Sequence, residues 1–162
     1  MAREKAERKT GSPEHVVALD TSCLIALVCG WHEHHAATLS LVERRVGAGA
    51  VLAIAAPALV EAYSVLTRLP APHRLAAADA LHLLRANFRD GARTVVLDAR
   101  DYWSLLIGAP ASGIQGGRTY DSVIVACARK ASAREILTLN SKHFESLSDE
   151  TLHVTSPIHE NA

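Results

Sequence analysis

Five short apolar runs, residues 15–19, 51–55, 94–97, 135–139 and 152–155, alternate with longer stretches of helical periodicity. Strands that alternate with helices are joined as parallel βαβ units with right-handed crossovers. The expected helices are 21–29, 32–46, 58–69, 73–88, 99–107, 121–130 and a short one over 141–147. Ala36, Leu39, Val42 and Val46 recur at helical spacing in the second. Pro57 suits a first helical turn, and Pro70 and Pro72 follow that helix's end. A Pro/Gly/Ser-rich loop fills 109–117, and no internal repeat is present. The chain therefore reads as one doubly wound α/β domain over residues 15–156, between an N-terminal tail of 1–14 and a C-terminal tail of 157–162.

The first strand sets the functional question. HVVAL ends in Asp20, and Thr21 and Ser22 open the helix that follows. In open α/β sheets, ligands bind beyond the C-terminal strand ends. Asp is equally a favoured helix N-cap, so both roles stay open for Asp20. Glu61 lies in PALVEAYSVL, where residues three and four away carry no positive charge. A lone buried carboxylate is costly, so Glu61 must pair, meet a metal or face water. Asp121 opens DSVIVACA, where an N-cap is the plain alternative, and Asn140 ends the fourth strand, where a turn is. Strands one and four flanking the point where the winding reverses would bring Asp20 and Asn140 to one crevice. Crowded carboxylates raise each other's pKa, and a hard divalent cation removes that repulsion. Oxygen donors without His or Cys select Mg²⁺ or Mn²⁺, which suit phosphodiester hydrolysis.

Four blocks in order, LDTSCLIAL, PALVEAYSVLTRL, YDSVIVACARK and ILTLNSKHFESL, resemble the successive motifs of a PIN domain. The nearest subgroup is the VapC-type toxins of toxin–antitoxin pairs, and the resemblance runs from Val16 to Val154. It implies a three-layer fold with a five-stranded parallel sheet of order 3-2-1-4-5 and helices on both faces. It also implies a Mg²⁺- or Mn²⁺-dependent endoribonuclease that hydrolyses RNA with a metal-activated water. By motif, the metal-holding acids fall on Asp20, Glu61 and Asp121, with Asn140 as a fourth catalytic position where many members carry Asp. Asn140 brings no charge and His143 replaces a further acid, so one well-held ion is expected. Thr21, Ser22 and Thr138 match the family's polar positions and, with Arg118, are the expected substrate contacts. The implied partners are an antitoxin protein and a second copy of the chain.

Composition narrows the alternatives. Lys plus Arg and Asp plus Glu both number 17, so no global positive field marks a nucleic-acid partner and any such surface must be local. Cys23, Cys29 and Cys127 sit in apolar helical stretches without a Cys-x-x-Cys pair, as in a reduced cytoplasmic protein. No apolar run reaches membrane-spanning length, about 18 residues, and the charged N-terminus is not a signal peptide. His32, His34 and His35 lack the i, i+4 spacing of helical zinc sites. No Walker motif or nucleophile elbow is present. Three rival readings remain: a housekeeping RNA-processing nuclease without antitoxin, a degenerate PIN-like binding module, and a phospho-acceptor domain using Asp98.

Overall fold

A computed structural model describes residues 14–159 of the 162. Most of the expected N-terminal tail and the last three residues lie outside the described range. Glu14 pairs with Arg93 at 2.8 Å. Beyond the last strand, Ser156 and Pro157 are buried and a turn closes from Ser156 to His159.

The elements are β1 (Val16–Leu19), α1 (Thr21–Val28), α2 (His35–Gly47), β2 (Val51–Ala55), α3 (Ala56–Arg68) and α4 (Ala77–Phe88). There follow β3 (Ala92–Val95), α5 (Ala99–Gly108), α6 (Arg118–Lys130), β4 (Glu135–Leu137), α7 (Ser141–Glu145) and β5 (His153–Thr155). The sheet is fully parallel with order β3-β2-β1-β4-β5, as expected. All four residues of β1 are buried, because a central parallel strand is covered on both faces. Register pairs Val17 with Leu52 on one side and with Glu135 on the other. The helix α1 packs on α2 and α3, and α3 on α4; α6 lies against β2 and β3, with α5 and α7 beside it. Leu19, Leu24, Leu41, Ile54, Leu66, Ile136 and Phe144 form the fully enclosed centre.

Several boundaries differ from the sequence reading, each for a local reason. β3 is set two residues earlier, because its register with β2 ends at the pair Ala55 and Val95. β4 stops at Leu137, since the Leu139 and Asn140 amides donate to the hydroxyls of Ser22 and Thr138 rather than to a strand. α4 begins at Ala77 because the His73 and Leu75 amides donate to Pro70 and Leu66. α6 begins at Arg118, which places Asp121 inside the first turn rather than at the cap.

In α2 the buried face is Thr38, Leu41 and Val42, while Leu39 and Val46 are exposed. Thr38 occupies a core position because its hydroxyl donates to the His34 carbonyl at 2.8 Å and leaves only a methyl to pack. α5 buries no residue and leaves Trp103 and Ile107 facing outward. The three cysteines are all buried free thiols. Burial, and then the neighbouring Asp20 charge, push the Cys23 thiol far up, so it is an inert packing group. Among the described residues no helix is long and apolar enough to cross a membrane.

Candidate active site

The winding reverses between β1 and β4, the neighbours at the centre of the sheet, and the candidate acids gather beyond their C-terminal ends. Asp20 follows Leu19 directly, and its amide donates to the Leu137 carbonyl at 3.0 Å, extending the β1–β4 pairing by one rung. Its extended backbone (φ −77°, ψ 159°) starts α1, and its carboxylate caps that helix. Oδ1 accepts the Thr21 amide at 2.7 Å. Oδ2 accepts the Ser22 hydroxyl at 2.7 Å, the Thr138 hydroxyl at 2.8 Å and, at 3.4 Å, the Ser22 amide. The helix cap and the candidate site acid are therefore the same residue. The side chain is buried, 4% exposed, and every donor to it is neutral. Its orientation is fixed by bonds that bring no opposite charge.

The hydroxyls knit the site together. Ser22 accepts the Leu139 amide at 3.0 Å, and Thr138 accepts the Asn140 amide at 2.9 Å. Thr21 faces the other way and donates to Glu61 Oε2 at 2.7 Å. Glu61 sits one turn into α3 and is solvent-facing, so the apolar run around it leaves its carboxylate wet. Asp121 lies in the first turn of α6, with Oδ2 3.6 Å from Nδ1 of His143 on α7. Burial raises the Asp121 carboxyl above its ordinary range, the Asp20 charge raises it further, and Glu61 adds to this. His143 and Arg118 pull the other way without cancelling the rise. Asp20, Glu61 and Asp121 thus act in one electrostatic field, and none of them forms an ion pair with a Lys or Arg among the described residues.

The other expected site residues fall close by with different roles. The Thr21, Ser22 and Thr138 protons are all given to acids, so these side chains orient carboxylates rather than offer donors outward. Arg118 opens α6 and donates to the Ser146 hydroxyl. Asn140 precedes α7 and is exposed; its side-chain amide has no hydrogen bond among the described residues. The contact of His143 with Asp121 escaped the sequence reading, which treated His143 only as a missing acid. Tyr120 escaped it too, because the helix start was set after it.

The rival positions are dispersed. His35 binds the Ala26 carbonyl, and His34 lies 3.6 Å from Glu33. Asp98 caps α5 in a capping box with Asp101, beyond the end of β3, which β2 separates from β1. Among the described residues, no group of three or more His, Cys, Asp and Glu side chains is arranged to hold a metal ion as it stands.

Comparison with known proteins agrees with this architecture. The PIN domain model matches residues 17–149. Ribonuclease VapC40 of Mycobacterium tuberculosis is 38% identical over 119 residues, covering 74% of this chain and 83% of that protein. Ribonuclease VapC27 of the same organism is 33% identical over 138 residues, covering 85% and 94%. Among solved structures, Mycobacterium tuberculosis VapC20, a sarcin–ricin loop cleaving toxin, shares the fold with TM-score 0.63 at 15% identity, covering 83% of this chain and 97% of its own. DNA-bound VapBC from Salmonella typhimurium shares it with TM-score 0.60 at 17% identity, covering 88% and 98%. With its sheet order, its four sequence blocks and these relatives in agreement, the chain belongs to the PIN domain family.

Proposed function

We propose that this chain is the toxin of a toxin–antitoxin pair, an endoribonuclease that hydrolyses RNA phosphodiester bonds with Mg²⁺ or Mn²⁺. The observation that carries the reading is the set Asp20, Glu61 and Asp121 at the switch point, where the charges of the first two raise the Asp121 carboxyl and none of the three forms an ion pair with a Lys or Arg among the described residues. The ribonuclease relatives VapC40 and VapC27, at 38% and 33% identity, support the activity, and the VapBC complexes of the same fold support an antitoxin partner.

The donor set fits a hard cation. All three candidate ligands offer oxygen, and their repulsion is relieved by positive charge. The lack of a ready cage suits an ion that keeps several waters and binds through one or two carboxylates directly. When bound, such an ion supplies Lewis acidity at the phosphate and lowers the pKa of water. The residues of the chain do the rest. Thr21, Ser22 and Thr138 hold Asp20 and Glu61 in position without neutralising them. Asp121, with its raised carboxyl, is the acid whose ionisation gains most from a nearby cation. In this reading the Asn140 side-chain amide orients water at the crevice, and Arg118, which here donates to Ser146, meets a phosphate beside Asp121. On the same reading the protein is a cytoplasmic homodimer, and the antitoxin is a separate partner that binds it.

Purified, antitoxin-free chain should cut RNA with Mg²⁺ or Mn²⁺ and stop in chelator, and Asp20→Ala and Asp121→Ala should be inactive. Either variant cutting as well as the wild type would reject the assignment. Expression should be toxic, and a small neighbouring protein should relieve it. Unrelieved or absent toxicity would point to housekeeping RNA processing instead.

A further inference from the structure

We propose that the cavity between α3 and α6 is a nucleobase subsite, in which a base of single-stranded RNA beside the scissile phosphate stacks on Tyr120. This rests on the ribonuclease reading above. The cavity has a volume of about 560 Å³, and its walls include Pro57, Val60, Glu61, Arg68, Tyr120 and Ile124. That size lies within the range of small-ligand pockets, roughly 300–1,000 Å³. It opens directly off the acid site: Glu61 is shared by both, and Tyr120 immediately precedes Asp121.

Tyr120 and Val60 are each 71% exposed, one on either side of the cavity, so a flat ring and a branched apolar group are left facing water. The Tyr120 ring stacks on no other aromatic and its hydroxyl makes no hydrogen bond among the described residues. Arg68 also lacks an ion pair or hydrogen bond within the described structure. Apolar walls with one free guanidinium at the rim match a base, whose faces are apolar and whose edge and flanking phosphate accept hydrogen bonds.

The occupant follows from position and charge. A second cavity between α3 and α4, lined by Leu59, Tyr63, Leu81, Leu84 and Phe88, is the more uniformly apolar and lies off the acid site. That one suits a hydrophobic peptide face. The chain as a whole carries no net charge, so it cannot hold RNA by a broad positive field. Local contacts must then hold the strand, and an exposed ring beside the acid site offers stacking, which tolerates any base.

The test is cleavage of a single-stranded RNA cut by the wild type, against the same RNA carrying an abasic residue at each position flanking the cut. Tyr120→Ala should lower kcat/KM by about tenfold to a hundredfold with unchanged Tm, and Tyr120→Phe should retain the wild-type value. One abasic position should lower the wild type by a similar factor and leave Tyr120→Ala no worse than before. The subsite alone is rejected if the wild type cuts RNA and Tyr120→Ala cuts equally well, or if its deficit persists unchanged on every abasic substrate. It is likewise rejected if Tyr120→Ala impairs dimer or antitoxin binding and leaves cleavage untouched. Absence of cleavage by the wild type would reject the nuclease reading and the subsite with it.

Discussion

At the N-terminal edge of the sheet, Glu135 enters β4 as a buried acid, and Arg45 of α2 grips both its oxygens at 2.8 Å each. At the opposite edge, Asp20 and Asp121 are also withdrawn from water but receive only neutral hydrogen bonds or a His at 3.6 Å. Burial pushes the Glu135 carboxyl up, yet the bonds from Arg45 and Thr155 outweigh it and hold the group below its ordinary range. Burial pushes Asp121 up as well, and there the neighbouring acids add to the rise. One strand thus begins at a compensated carboxylate and leads towards an uncompensated group. The fold pairs a guanidinium with Glu135 and forms no such ion pair with Asp20 or Asp121 among the described residues, which is the contrast behind our proposal that the second site takes a cation from solution.

The largest effect expected from this contrast is on activity. Asp20→Asn and Asp121→Asn should each lower RNA cleavage by more than the roughly 10- to 100-fold typical of losing a partner of a metal ligand. Neither should unfold the protein, and circular dichroism alongside the cleavage assay checks both halves. The reverse pattern is expected at the other edge. Arg45→Met should destabilise by about 3 kcal/mol in urea unfolding, because it strands a buried charge, with cleavage per folded molecule unchanged. The double variant Arg45→Met/Glu135→Leu should recover most of that loss, and failure to recover it would show that Arg45 acts through other contacts. Thr138→Val sits between the two regions, since Thr138 donates to Asp20 and accepts from the Asn140 amide. It should cost about 1–2 kcal/mol of stability and lower cleavage about tenfold.

The smallest effect concerns pH, and its sign differs between the sites. Glu135 is depressed in the fold, so its contribution is present above the ordinary carboxylate range and is lost as pH falls through its lowered value. Asp121 is raised, so the folded chain holds that proton after the unfolded chain has lost it, and stability falls as pH rises through this window. Without metal, Asp121→Asn should therefore gain stability over wild type as pH rises from about 4 towards neutrality, whereas Glu135→Gln should lose stability against wild type as pH rises up to the ordinary Glu value of about 4.3 and keep that deficit above it. Thermal unfolding across pH in chelator measures both, and the same sign for both variants would break the comparison.

Much of this was legible in the sequence. Short buried runs alternating with helices sufficed for the parallel sheet, and acids at strand ends sufficed to place Asp20. What was not legible depended on hydroxyls and loops. Thr38 reads as polar, yet its back-bond to His34 lets it enter the core and turns α2 by a residue. Gly116 and Gly117 hide the start of α6, which moved Tyr120 from a loop into the helix and Asp121 from its opening residue into the first turn. The contacts of Thr21 with Glu61 and of Thr138 with Asp20 span 40 and 118 residues of sequence, where no local pattern can reveal them. Only a resemblance to known motifs pointed there.

The proposed function requires the switch-point acids Asp20, Glu61 and Asp121 to bind a divalent cation from solution. Calorimetric titration of Mn²⁺ into the wild type and Asp121→Asn, with thermal unfolding of both in chelator, tests it most directly. The account predicts one bound ion on the wild type, affinity at least about tenfold weaker in Asp121→Asn, and a metal-free variant at least as stable as the metal-free wild type. No binding by the wild type, or a metal-free variant clearly less stable than the wild type, would contradict it.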